Sequence, residues 1–98
     1  MIIYICGPMT GIKDFNRPAF NITAALLEDG GDVAINPAVL PSGLSQFQYM
    51  DICTAMLRSA EAIFLLNGWE LSAGAQAEYA LAHKLGLKVI SQEEHSFE

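Results

Sequence analysis

The sequence contains few charged residues and no cluster of basic ones. Charged residues make up 16 % of the 98 positions, five of them are Lys or Arg, and the formal net charge is −6. Proteins that bind duplex nucleic acid do so largely through clustered basic side chains that neutralise phosphates. The chain is therefore predicted not to bind duplex nucleic acid.

Long apolar runs are also missing. The run from Ala62 to Leu66 has five residues, whereas a helix that spans a bilayer needs about 20. The N-terminus, MIIYICGP, lacks the basic start and the long apolar stretch of a signal peptide. We therefore expect no membrane partner and a cytoplasmic location.

Cysteine and histidine, the usual ligands of structural metals, are scarce. Cys6 and Cys53 fall in predicted apolar elements and are interpreted as reduced core residues rather than a disulfide. The spacing of His83 and His95 does not suggest a metal site. The glycine-bearing loop after Cys6 matches neither the dinucleotide fingerprint nor the Walker A pattern. Neither a metal nor a cofactor is predicted.

Hydrophobic residues, in contrast, are abundant at 52 % of the chain. A chain of this length forms one domain with one core. Such a small monomer would struggle to bury so much apolar side chain, which favours a homodimer or a larger homo-oligomer. The candidate interface residues are Phe47, Tyr49, Met50 and Trp69.

Apolar runs and amphipathic segments alternate along the chain. Strands are predicted at 2–6, 33–35, 62–66 and 87–90, and helices at about 17–29, 45–59 and 72–85. In the first helix, Asn16 is the predicted cap. This order predicts an α/β fold, namely a three-layer, four-stranded parallel sheet with helices on both faces, as in flavodoxin/Rossmann-like folds. Residues 1–91 are expected to form this domain and residues 92–98 a polar, frayed tail. Ligands in such folds bind at the carboxyl ends of the strands.

The third helix has a glutamate, Glu78, on its apolar side. At about 100° per residue, several small or apolar residues lie within about 60° of it: Gly74, Ala75, Leu81, Ala82 and Leu85. Burying a carboxylate without a partner is costly. Glu78 therefore either bonds to a neighbouring group or a dimer partner, or lines a pocket as a nucleophile or a base of raised pKa.

Residues near this helix start and in the first loop could meet a ligand. Ser72 is the predicted N-cap, and the small residues after it leave backbone N–H groups open to an anion. Lys13 and Arg17 follow the first loop and either meet a phosphate or stay in solvent. Tyr4 is either a core aromatic or has its hydroxyl in the site.

Two segments resemble a known family. YICGPMTG at positions 4–11 resembles the opening Tyr-x-x-Gly-Pro segment of the nucleoside 2-deoxyribosyltransferase superfamily, and SAGAQAEYALA at 72–82 resembles its Asp/Ser-x-Gly-x-x-x-Glu-x-x-x-Ala segment. GWELSAGA at 68–75 further resembles a small, uncharacterised branch found in bacteriophages and prophages.

The resemblance implies cleavage of the N-glycosidic bond of a deoxynucleoside or its 5′-monophosphate, with Glu78 as the nucleophile at C1′. The base is then replaced by another base or by water. Ser72, where transferases have Asp, implies a place near a 5′-phosphate and hence a small-molecule nucleotide partner. The expected substrate-binding residues are Tyr4, Gly7, Pro8, Met9, Trp69, Ser72 and Gly74.

One position departs from the family pattern. The family has on the second helix an Asp that assists the leaving base, and the matching residue here is Cys53. Asp51 lies roughly 200° around the helix from that direction, so Glu70 or another subunit would have to supply the acid. A non-catalytic nucleotide-binding or sequestering protein, and an interaction protein in which Glu78 ties subunits together, therefore remain alternatives.

Overall fold

The computed structural model describes residues 1–97, which form a four-stranded parallel sheet with helices on both faces. The strands are β1 (Ile2–Cys6), β2 (Val33–Ile35), β3 (Ala62–Leu65) and β4 (Lys88–Ser91). The α-helices are α1 (Arg17–Asp29), α2 (Gln46–Arg58) and α3 (Ala73–Leu85). Short 3₁₀ turns at Lys13–Asn16, Pro37–Val39 and Trp69–Leu71 join them. The predicted α/β class and strand direction are confirmed.

The sheet order is β2-β1-β3-β4, which places the most apolar strands inside. In β1, Tyr4 pairs with Ile35 of β2 on one side and with Ile63 of β3 on the other. An interior strand of such a sheet is covered on both faces, so it needs a continuous apolar run rather than an alternating one. The run at the start of the chain meets this need.

The two faces of the sheet have separate cores because successive side chains of a strand point to opposite sides. Ile3 and Ile5 face α1 and pack with Phe20 and Phe64; we call this group the α1-side core. Tyr4 and Cys6 face α2 and α3, within the α2/α3-side core. Helices thus cover both faces, in the three predicted layers.

The C-terminal segment differs from the frayed tail expected from its polar sequence. The backbone N–H of Gln92 donates to the Leu65 carbonyl at 2.9 Å, and the Gln92 side chain accepts from the Asn67 N–H at 2.8 Å. The rings of His95 and Phe97 lie 5.5 and 5.8 Å from the ring of Phe64. Because α1 packs over β2 and β1, these two rings cover the part of the sheet face that the helix leaves open.

The loop after β1 ends in a left-handed turn that the sequence did not predict. Asp14, Phe15 and Asn16 have φ values of 55°, 51° and 59°, which are uncommon for residues other than glycine. Asn16 precedes α1 as predicted, but its side chain makes no capping bond and donates instead to the Pro8 carbonyl at 2.9 Å. The amide thus fastens the loop to the end of β1.

Candidate active site around Glu78

The start of α3 lies at the carboxyl edge of the sheet and is capped by Ser72. Its hydroxyl oxygen accepts from the Ala75 N–H at 3.2 Å, as predicted for an N-cap. The N–H groups of Ala73 and Gly74 are in the first turn, where the helix has no carbonyl to pair with them. Two backbone donors and the positive end of the helix dipole are thus available to an anion.

Glu78 lies in the second turn of α3 and points into the α2/α3-side core. It is only 8 % exposed to solvent. Around it are Tyr4 and Cys6 of β1 and Cys53 of α2, all buried as well. Three secondary-structure elements therefore bring together one carboxyl, one phenol and two thiols. We call these four residues the Glu78 cluster.

Burial raises the pKa of the Glu78 carboxyl because the ionised form loses its hydration. Hydrogen bonds with the Cys6 thiol and the Tyr4 hydroxyl favour the ionised form and offset part of that rise. The balance leaves a carboxyl that takes up a proton more readily than one in water, while its ionised form is held by two donors.

The neighbours of Glu78 are kept in their protonated forms. Burial, and then the negative charge of Glu78, raise the pKa values of the Tyr4 phenol and the Cys6 thiol well above their ordinary range. Burial raises the pKa of Cys53 too, although a hydrogen bond with Tyr4 lowers it in part. At neutral pH these groups are hydrogen-bond donors and not additional charges.

Gly7 follows β1 where the chain has no room for a side chain. A Cβ at this position would lie 2.8 Å from the Cβ of Leu66, well inside van der Waals contact. Gly68, after β3, has φ of 89°, and Pro8 is its near neighbour. The loops after the two central strands therefore pack directly against each other, as required at a shared carboxyl edge.

The structure does not bring all predicted substrate-binding residues to Glu78. Met9 packs against the α1-side core, on the other face of the sheet. Trp69 packs on Tyr79, with the two ring centroids 4.8 Å apart, and lines a cleft of about 330 Å³ that also includes Glu70. Tyr4 contacts Glu78 directly, whereas Ser72 and Gly74 lie at the start of its helix.

Glu78 lies away from two surface clefts of the protein. It lines neither the cleft beside Trp69 nor a shallow one of about 450 Å³ on the outer side of α2, which includes Asp51 and Met56. Met50 of α2 covers the start of α3: its sulfur lies 3.7 Å from where a Gly74 Cβ would be. A ligand at the start of α3 would therefore contact or displace the Met50 side chain.

The carboxylates that could assist Glu78 lie elsewhere. Asp51 is exposed on α2, whereas Cys53 is buried in the cluster, as the helical spacing predicts. Glu70 is exposed as well.

Within residues 1–97, no group of three or more His, Cys, Asp or Glu side chains is arranged to hold a metal ion. In the same part of the chain, no helix combines the length and apolarity that a membrane crossing requires.

Cys6 is a neighbour of Glu78 that the sequence interpretation missed. It was interpreted as a small core residue, yet its thiol is a near neighbour of the Glu78 carboxyl and donates to the Ala75 carbonyl at 3.5 Å. The available signal was its position two residues after Tyr4, which puts both side chains on one face of β1.

Known proteins share this architecture. The structure is similar to "2-desoxiribosyltransferase from Leishmania mexicana", with a TM-score of 0.74 and 22 % sequence identity. The likeness covers 92 % of this chain and 62 % of that one, so the chain spans less than two thirds of the length of its neighbour. It shows the fold.

Sequence comparison adds a family but no activity. No curated protein matches the chain. A family model described as "Domain of unknown function (DUF4406)" matches residues 1–91. The chain therefore belongs to the DUF4406 family.

Proposed function

We propose that the chain cleaves the N-glycosidic bond of a deoxynucleoside or a deoxynucleoside 5′-monophosphate, with Glu78 as the nucleophile. The observation that supports this most is the buried Glu78 carboxyl, held by Tyr4 and Cys6 on a helix whose capped start offers free amides. The fold shared with a deoxyribosyltransferase is consistent with it.

The reaction takes two displacement steps at C1′ of the deoxyribose. The Glu78 carboxylate bonds to C1′ while the bond from C1′ to the base nitrogen breaks and its electron pair leaves with the base, which gains a proton from solvent. A carboxylate stabilises the oxocarbenium-like transition state and then traps it as an ester. Water or a second base then attacks C1′ and releases Glu78 as the carboxylate.

The arrangement of α3 favours a monophosphate as the substrate. Ser72 and Glu78 are six residues apart, which is about 9 Å along a helix axis. A 5′-phosphate at the Ala73 and Gly74 amides would leave the sugar between the helix start and Glu78. The Ser72 hydroxyl proton is free to donate to the phosphate, since its oxygen is the part that accepts from Ala75.

The substrate enters, in this proposal, between α2 and the start of α3. Met50 stands at that position, and an unbranched thioether side chain changes rotamer at little expense. Self-association remains part of the proposal: Phe47 at the start of α2 is 79 % exposed, while Tyr49, Met50 and Trp69 are half-buried.

Release of free base from deoxynucleotides tests the proposal. The purified protein is incubated with each deoxynucleoside and its 5′-monophosphate, with and without an acceptor base, and free base is quantified by chromatography. Glu78→Ala should abolish release, because no carboxylate then remains to attack C1′. Glu28→Ala, an exposed glutamate on α1, is the matched control and should release base at the normal rate. Full release by Glu78→Ala, or none by the unmodified protein, would contradict the proposal.

A non-catalytic nucleotide-binding protein is the second candidate, and Cys53 favours it. Burial raises the pKa of this thiol, so it cannot deliver a proton to a leaving base at neutral pH as a carboxylic acid does. This function predicts that a deoxynucleotide raises the melting temperature and is recovered intact. Ser72→Ala should weaken that stabilisation in both candidates, whereas base release occurs only in the first.

A further inference from the structure

The chain between β3 and α3 leads to the groups that would bind an anion. This β3–α3 connection, residues 66–72, includes one short 3₁₀ turn, Trp69–Leu71, and ends at the N-cap Ser72. Gly68 within it has φ of 89°, a left-handed conformation that takes the chain out of the extended course of β3. The position of the Ser72 hydroxyl and of the first amides of α3 therefore depends on what holds the β3–α3 connection in place.

Gln92, the residue after β4, binds the chain at the end of β3 twice. Its backbone N–H donates to the Leu65 carbonyl at 2.9 Å, and its side-chain oxygen accepts from the Asn67 N–H at 2.8 Å. The first bond continues the pairing of the two strands, in which Leu65 and Ser91 are the last partners. The second bond reaches past that pairing, so a side chain supplies the acceptor where the ladder of backbone bonds stops.

The β3–α3 connection transmits the position of its beginning to its end. On the β1 side, the Leu66 N–H donates to the Cys6 carbonyl at 2.8 Å. Further on, the N–H groups of Trp69 and Ser72 donate to the carbonyls of Leu66 and Trp69, at 3.1 Å each. Because each bond links one turn to the turn before it, a displacement at Asn67 is passed on to Ser72.

The C-terminal segment keeps Gln92 itself in place. The N–H of His95 donates to the Gln92 carbonyl at 3.3 Å. The rings of His95 and Phe97 pack against Phe64, which is fully buried in β3. The segment is thus fastened to the same strand whose end Gln92 holds, and the Gln92 side chain, in a half-buried residue, has a defined starting point.

We propose that Gln92 is a positioning residue for the start of α3: its side-chain carbonyl holds the Asn67 N–H and so fixes the connection that leads to Ser72. That a 5′-phosphate binds there rests on the proposed function, whereas the hydrogen bonds do not. Glu78 lies inside a helix packed on the sheet. Gln92 should therefore act on the binding of the phosphate and not on the reacting carboxyl.

The opposite edge of the sheet offers a matched control. Glu61, exposed and directly before β3, accepts from the Ile2 N–H with its side chain, also at 2.8 Å. Gln92→Met and Glu61→Met each remove one such acceptor and keep a side chain of similar length. A purely structural role of Gln92 predicts that the two variants behave alike. A positioning role predicts that Gln92→Met alone changes the start of α3.

The first test is amide hydrogen exchange and NMR of the substrate-free protein. In Gln92→Met, exchange of the Asn67 N–H should accelerate about fivefold, in line with loss of one hydrogen bond, and the amide resonances of Ala73 and Gly74 should shift. Gln92→Glu, whose carboxylate accepts from the same N–H, should restore the slow exchange. The proposal is overturned if the Ala73 and Gly74 resonances keep their positions in Gln92→Met, or move equally in Glu61→Met.

The second test uses the proposed activity. For a deoxynucleoside 5′-monophosphate, Gln92→Met should raise KM about fivefold and leave kcat unchanged, as for loss of an interaction made equally in the ground and transition states. For the deoxynucleoside without the phosphate, and for Glu61→Met with either substrate, both constants should match the unmodified protein. An unchanged KM for the monophosphate, or a fall in kcat instead, overturns the proposal. If no substrate releases base, the proposed function fails, while the exchange and resonance measurements still decide the role of Gln92.

Discussion

The two faces of the sheet use the same strands for different purposes. On the α1 side, Ile3 and Ile5 of β1 pack with apolar side chains of α1 and β3. On the α2/α3 side, Tyr4 and Cys6 of the same strand meet Glu78 and Cys53. One face of β1 thus serves packing alone, while the other holds titratable groups.

This difference shows where a small domain can place a functional group. The sheet needs apolar burial for stability, and the α1 side supplies it with large side chains such as Phe20 and Phe64, which are almost fully buried. The α2/α3 side tolerates a carboxyl whose ionised form is disfavoured by burial, because donors from β1 surround it. Three predictions test whether the faces are separate in this sense.

The largest effect is expected on the α1 side. Phe20→Ala should lower the free energy of unfolding by about 3–5 kcal/mol, the usual range for loss of a buried aromatic ring. The loss should be the same at pH 5 and pH 8, since no titratable group of the Glu78 cluster is touched. Urea denaturation at both pH values measures it. A loss that depended strongly on pH would mean that the faces are coupled.

On the other face of the sheet, Glu78→Gln is expected to stabilise the folded protein rather than destabilise it. The pKa of Glu78 is raised in the folded protein, so the folded state binds a proton more readily than the unfolded one, and stability falls as the pH rises through that pKa. The variant, which has no such group, should melt a few degrees higher at pH 7. Below the ordinary carboxyl pKa of 4.5 the benefit should vanish. Equal melting temperatures at pH 7 would show that Glu78 is not held in a dry site.

The smallest effect is expected at the edge that both faces share. Ser72→Ala should lower the free energy of unfolding by about 1 kcal/mol, as for other N-cap serines. Ser72→Asp keeps a cap and should retain stability, but its charge should repel a phosphate. Calorimetric titration with a deoxynucleoside 5′-monophosphate separates the two roles. If Ser72→Asp binds the nucleotide as well as the unmodified protein does, the phosphate does not bind at this helix start.

Much of the fold could be predicted from local pattern. The apolar run at Ile2–Cys6 predicts an interior strand, and the structure has the strand with those bounds. The predicted first helix, 17–29, also matches, since Pro18 in its first turn and the glycines after it mark its ends. The packing of the C-terminal segment could not be predicted, because His95 and Phe97 have no periodic pattern and only the ring of Phe64 gives them a place to pack.

The site was predictable in part. Helical spacing puts Glu78 on the buried side and Asp51 on the exposed side, and both lie there. Met9, expected to bind substrate, packs against the α1-side core and not beside Glu78, so its role in binding stays a prediction. No spacing within a single element could show that Cys53 meets Tyr4, since the two come from α2 and β1.

The amino-acid sequence by itself determined the alternation of strands and helices, the buried direction of Glu78 and the cap at Ser72, because each depends on residues only a few positions apart. The tertiary structure alone decided which groups surround that carboxyl and that Met50 lies over its helix start. The reason is that side chains from other elements bury the carboxyl, which raises its pKa, while the neighbouring Cys6 and Tyr4 lower that pKa in part. Their approach is fixed by how α2 and α3 pack on the sheet.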